Sequence, residues 1–102
     1  MRSRTLPEQP HFDEINKMTL DVIISENVVI YGSIVYWKID KTYGFIRTDK
    51  RYAIFKQDFY TDIKKTDGNM QFPVGTVVSF KVGRTKDSGK QVYAYSVVMV
   101  VE

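Results

Sequence analysis

Gly32-Ser33-Ile34-Val35-Tyr36-Trp37-Lys38-Ile39-Asp40-Lys41-Thr42-Tyr43-Gly44-Phe45-Ile46 is a run of β-branched and aromatic residues broken once, at Asp40-Lys41. Such residues favour strands and Asp-Lys marks a turn, so the stretch predicts two strands and a short connection. Side chains two apart on a strand share a face, which sets Tyr43 and Phe45 side by side. Gly44 leaves nothing between them to crowd, and Ile46 turns inward. Tyr36 and Trp37 on the preceding strand neighbour that pair, and Lys38 and Lys41 flank the rings. Flat rings beside ammonium groups suit unpaired bases and their phosphates, at roughly 1–3 kcal/mol per stacked base. Aromatics also enter strands for packing alone, so Tyr36, Tyr43 and Phe45 can equally be core by pattern. The Tyr-Gly-Phe spacing with its lysines favours a surface platform.

Outward from this stretch the β pattern continues. Strand-like runs cover 28–37, 43–47, 52–56, 76–82 and 91–101, separated by Asp- and Gly-rich turn signals such as Asp67-Gly68-Asn69 and Asp87-Ser88-Gly89. The fourth run alternates, with Val78, Phe80 and Val82 on one face and Val77, Ser79 and Lys81 on the other. Five short strands without a helix among them predict a small barrel, because closure removes exposed edges. Ahead of them, residues 1–27 read as an extension, disordered up to about Phe12, and 28–102 as the domain. Ile15, Met18 and Val22 have helical spacing behind Asp13, while the branched run 20–24 can equally begin a strand; Leu20, Val22 and Ile24 are expected to pack on the barrel or to pair with an edge strand.

Composition narrows the chemistry. The chain has 102 residues and no cysteine, which excludes disulfide frameworks, thiolate metal sites and cysteine nucleophiles. A single histidine, His11, excludes a histidine-rich metal site. Residues 1–31 carry three basic and five acidic side chains of the 15 and 12 in total, leaving 12 basic and seven acidic beyond them. A basic body with 14% aromatic residues fits an anionic, flat-faced partner such as single-stranded nucleic acid. No apolar run approaches the ~20 residues of a membrane span, and the first residues lack the apolar centre of a signal peptide. The expectation is a cytoplasmic, possibly nuclear, monomer without membrane contact. No Gly-rich phosphate loop, nucleophile–base pair or metal-ligand cluster stands out, so neither an enzyme nor a cofactor is expected.

The fifteen residues from Gly32 to Ile46 resemble, without a gap, the opening of a cold-shock domain, which runs Gly-Thr-Val-Lys-Trp-Phe-Asn-x-x-Lys-Gly-Phe-Gly-Phe-Ile. Tyr36 takes the place of the family's exposed tryptophan and Trp37 that of the phenylalanine beside it. Lys41 matches the family lysine, and Tyr43 and Phe45 match the two stacking phenylalanines of its first ribonucleoprotein motif. The similarity continues in outline to Val101. It implies a five-stranded OB barrel of cold-shock type that binds single-stranded RNA, or single-stranded DNA in vitro, and a role in post-transcriptional regulation.

The departures bear on the site. The family's second motif, Asp-Val-Phe-Val-His-Phe, is best matched at Tyr52-Ala53-Ile54-Phe55-Lys56-Gln57. In that register Phe55 faces the core, Ile54 replaces a stacking phenylalanine and Lys56 a stacking histidine, so half of the platform is aliphatic or cationic. Val35 also replaces a lysine and Lys38 an asparagine. In the long loop from Gln57 to Pro73, Phe72 or Phe59 caps a base, as an aromatic does in the family, or Phe72 staples the loop to the barrel. Arg84 and Lys86 begin a hairpin that either contacts phosphate or is simply solvated, and Tyr93 and Tyr95 share a face on the last strand, where they either border the same surface or fill the barrel end. The expected nucleic-acid contacts are thus Tyr36, Trp37, Lys38, Lys41, Tyr43, Phe45, Ile54, Lys56, Phe72, Arg84 and Lys86. The competing reading is a protein-interaction module whose degenerate platform docks a partner chain. Because Glu102 follows directly on a strand-like run, the chain is expected to be a domain cut from a longer protein.

Overall fold

The computed structural model describes residues 12–85 and 91–101. Two short helices, α1 (Phe12–Asn16) and α2 (Leu20–Ser25), precede five strands: β1 (Ile30–Lys38), β2 (Tyr43–Thr48), β3 (Phe59–Asp62), β4 (Val77–Arg84) and β5 (Val92–Met99). The strands close into a barrel in the order β1-β2-β3-β5-β4. The β3–β5 pairing is parallel and the other four are antiparallel. This is the all-β, five-stranded closed barrel predicted from the sequence.

Alternation builds the interior. Ile30, Ile34, Ile46, Phe59, Val78, Phe80, Val82, Ala94 and Val97 are each at most 1% exposed and fill the barrel. Each large apolar side chain withdrawn from water in this way contributes about 1.5–3 kcal/mol.

One irregularity decides which rings reach the surface. On β1, Ile34 pairs with Ile46 but Tyr36 pairs with Phe45, so Val35 is the extra residue of a β-bulge. Strict alternation after Ile30, Gly32 and Ile34 would point Tyr36 into the core. The bulge shifts the parity: Tyr36 is 42% exposed, while Trp37 turns to pack against the core. Gly44 on β2 stands opposite Trp37. A Cβ there would lie 2.4 Å from Trp37 Cε3 and 2.4 Å from the Tyr36 carbonyl oxygen, so glycine is needed to admit the indole. The room Gly44 leaves is therefore on the inner side, and it serves Trp37.

The third strand lies seven residues later than the sequence predicts: it begins at Phe59, and 52–56 is not a strand. The backbone donors of that segment are taken by side chains and a turn. Tyr52 N–H donates to the Asp49 carbonyl at 3.0 Å. Ala53 and Ile54 N–H both donate to Asn16 Oδ1, at 2.8 and 3.3 Å. Tyr52 is buried, and its hydroxyl accepts from Tyr31 N–H at 3.1 Å. Phe55 wedges between the Tyr52 and Phe59 rings, 5.5 and 5.4 Å away. Residues with high strand propensity thus plug the barrel beside α1, a tertiary preference that overrides the local one.

The extension is helical where the sequence left helix and strand open. Thr19 caps α2 by accepting from Val22 N–H, and the helical parity makes Ile23 the fully buried residue. Leu20 and Ile24 pack beside it, but Val22 is 40% exposed, against the expectation that it would pack. Ile15 of α1 and Ile23 of α2 join the same buried cluster as the barrel interior. Among the described residues, no helix is long and apolar enough to cross a membrane.

Candidate functional site

Four aromatic rings meet on the outer face of β1, β2 and β3. Tyr43 and Phe45 lie outward of the buried Gly44 and Ile46, as strand parity requires. Tyr36 joins them across β1, with ring centroids 6.3 Å from Tyr43 and 6.1 Å from Phe45. Tyr60 joins from β3, at 5.8 Å from Tyr43 and 6.0 Å from Phe45. Tyr43 and Phe45 themselves stand edge to face at 6.0 Å. Tyr36 and Tyr60 are exposed, and the inner pair is half-buried between them. The four rings form one surface, not part of the core.

Tyr60 is the ring that the sequence reading left out of the site. It sits on β3 with Phe59 and Thr61 buried on either side, an in-out-in alternation only three residues long and enclosed by Asp58 and Asp62. The strand expected at 52–56 is thus replaced by Phe59–Asp62, with Tyr60 as its outward ring. Ile54 instead packs against the core, and Lys56 is exposed in the turn before β3.

Two more of the expected contacts lie away from the four-ring surface. Trp37, re-aimed by the bulge, meets Phe72 edge to face at 6.3 Å. Phe72 is only 4% exposed, so it staples its loop to the barrel and offers no free face to a base. The indole Nε1 is buried and has no hydrogen-bond partner among the described residues.

Cations border the rings. Lys38 at the end of β1 pairs with Asp40 at 3.8 Å, and Lys41 is exposed and forms no ion pair within the described residues. Lys65, not singled out by sequence as a contact, places Nζ 5.9 Å from the Tyr60 ring centroid and 3.0 Å from Asp62 Oδ2. Burial pushes the Asp62 carboxyl up, but the Lys65 hydrogen bond and charge, the Lys64 N–H and the Tyr60 hydroxyl together hold it below its ordinary value. Burial, and then the Asp62 charge, raise the Tyr60 phenol, keeping it neutral at physiological pH. Arg84, at the end of β4, donates from Nη1 to Asp21 Oδ1 at 2.7 Å. Lys86 lies outside the described residues.

A surface of this make-up holds flat, partly apolar groups against its rings and anions at its margin. A solved structure of a Drosophila Unr cold-shock region, CSD456, is similar, with a TM-score of 0.56 and 18% identity. The match covers 80% of this chain and 32% of that one, so the chain spans about a third of that structure's length. At this identity the likeness concerns the fold, a closed five-stranded barrel of the cold-shock and OB type. No family model matches the chain, and no curated protein matches it in sequence.

Proposed function

We propose that the barrel binds single-stranded RNA, and accepts single-stranded DNA in vitro. Bases stack on Tyr36, Tyr43, Phe45 and Tyr60, while Lys38, Lys41 and Lys65 meet the phosphates. The observation that carries this reading is the four-ring cluster, held outside the core with centroids 5.8–6.3 Å apart. Core packing would bury these rings as it buries Phe59 and Phe80. Stacking tolerates any base because every base has a π-face, so a ring surface bordered by cations suits a single strand. The cold-shock resemblance supports the same reading, since Tyr36, Tyr43 and Phe45 lie in the Gly32–Ile46 stretch of β1 and β2 that carries it. A docked protein chain is the competing reading, and the ring that Tyr60 adds on β3 favours the nucleic acid because it enlarges the stacking surface.

Titration of a labelled single-stranded RNA at several salt concentrations tests the proposal. With three lysines on phosphates, the log–log slope of affinity against salt is expected near −2, at about −0.7 per phosphate neutralised. Salt-independent binding, or no binding at low salt, contradicts it.

A further inference from the structure

The aromatic surface continues beyond β3. Tyr93 on β5 is the register partner of Tyr60 across the parallel junction, and Ala94 beside it is fully buried, so both tyrosines lie on the outer face. Lys65 Nζ lies between the two rings, 5.9 Å from the centroid of Tyr60 and 5.1 Å from that of Tyr93. The Tyr93 ring rests against Gly83 of β4, where a Cβ would come within 2.6 Å of ring atoms Cε1 and Cζ. A ring seated on glycine is already held in place and loses little freedom when a ligand stacks on it. Tyr60, Lys65, Tyr93 and Arg84 border an open cleft of about 560 Å³, a volume within the range of small-ligand sites. Arg84 Nε is buried without an acceptor among the described residues, a donor that an anionic oxygen would satisfy.

Resting on the function proposed above, we propose that the strand passes beyond Tyr60 into this cleft and places a further base on Tyr93. Lys65 then receives the phosphate that links the base on Tyr60 to the base on Tyr93, and Arg84 receives the next. Both cations are paired with carboxylates, Lys65 with Asp62 and Arg84 with the exposed Asp21. The Arg84–Asp21 pair opens to solvent at Asp21 and such pairs are weak, so a phosphate oxygen exchanges for that carboxylate at little cost. The half-buried Lys65 keeps Asp62 and offers its remaining ammonium hydrogens to the phosphate.

The test uses the full chain with labelled single-stranded RNAs of about four and about ten nucleotides, within the site sizes of OB folds. Tyr93→Leu keeps an apolar cover on Gly83 and removes the ring, and Tyr93→Phe keeps the ring. Tyr93→Leu is expected to weaken binding of the longer RNA about tenfold and of the shorter less than about twofold, with Tyr93→Phe binding like the parent. Equal losses for both lengths, no loss for the longer, or a Tyr93→Phe variant as weak as Tyr93→Leu overturns the extended track. A parent chain that binds neither RNA overturns the proposed function along with it. Retained binding of both RNAs by Tyr93→Leu overturns the track alone.

Discussion

Phe45 and Tyr60 are register partners across β2 and β3, their ring centroids 6.0 Å apart and their planes at 72°. Cross-strand aromatic pairs contribute roughly 0.2–1 kcal/mol each, so the surface cluster steadies itself as well as facing outward. Its main consequence is for binding, because neither ring fills the barrel.

Adjacent residues on β3 should therefore respond in opposite ways. Tyr60→Ala is expected to weaken single-stranded RNA binding by roughly 1–3 kcal/mol with little change in the unfolding midpoint. Phe59→Ala, which empties a fully buried site, is expected to cost about 3–5 kcal/mol of stability. Thermal melts and anisotropy titrations on the two variants check both halves.

Gly44→Ala tests the seat of the indole. The new methyl group would meet the Trp37 ring and the Tyr36 carbonyl at 2.4 Å, and part of that contact is backbone that cannot swing aside. Overpacking of this kind typically costs about 1–3 kcal/mol. A lowered Tm with shifted Trp37 fluorescence is the expected outcome, and an unchanged melt argues against the inward indole.

The fold was legible because its signals are local and repeated. Val78, Phe80 and Val82 alternate cleanly, and the Tyr43-Gly44-Phe45-Ile46 parity sets two rings on one face and Ile46 on the other without knowledge of any neighbour. What was hidden depends on contacts distant in sequence. Asn16 binds Ala53 and Ile54 from 37 and 38 residues away, turning a segment of strand-forming residues into a plug and concealing the true β3. The bulge at Val35 is likewise set by pairing on both sides of β1, so alternation alone could not separate Tyr36 from Trp37. Lys65 was overlooked because its place over Tyr60 and Tyr93 arises only when β3 and β5 lie side by side.

Acid should loosen the β3 end of the site. Asp62 titrates below its ordinary value of 3.8 in the folded chain, and so does Asp49, held down chiefly by its hydrogen bond from Arg51. The unfolded chain therefore takes up these protons first as pH falls. Their contribution to stability is complete above about pH 4 to 5 and is lost as pH drops through the lowered folded values. Asp62→Asn is expected to flatten the decline of Tm on acidification, and a Tm profile identical to the parent's contradicts the Asp62–Lys65 link.

Alkali acts through the plug. Burial pushes the Tyr52 phenol up to about 12, whereas an unfolded tyrosine titrates near 10. The neutral phenol is favoured in the fold, so its contribution is complete below about pH 10 and is lost as pH rises toward 12. Denaturant melts between these limits should show the parent losing stability faster than Tyr52→Phe, whose ring carries no proton to lose.

The central claim is that the outward rings stack on bases, and Phe45→Ala tests it most directly. Affinity for one labelled single-stranded RNA and the unfolding midpoint are measured on the same preparations of parent and variant. The account predicts a loss of roughly 1–3 kcal/mol in binding, with a stability change well under the 3–5 kcal/mol of a buried phenylalanine. A folded Phe45→Ala chain that binds the RNA as tightly as the parent would contradict it.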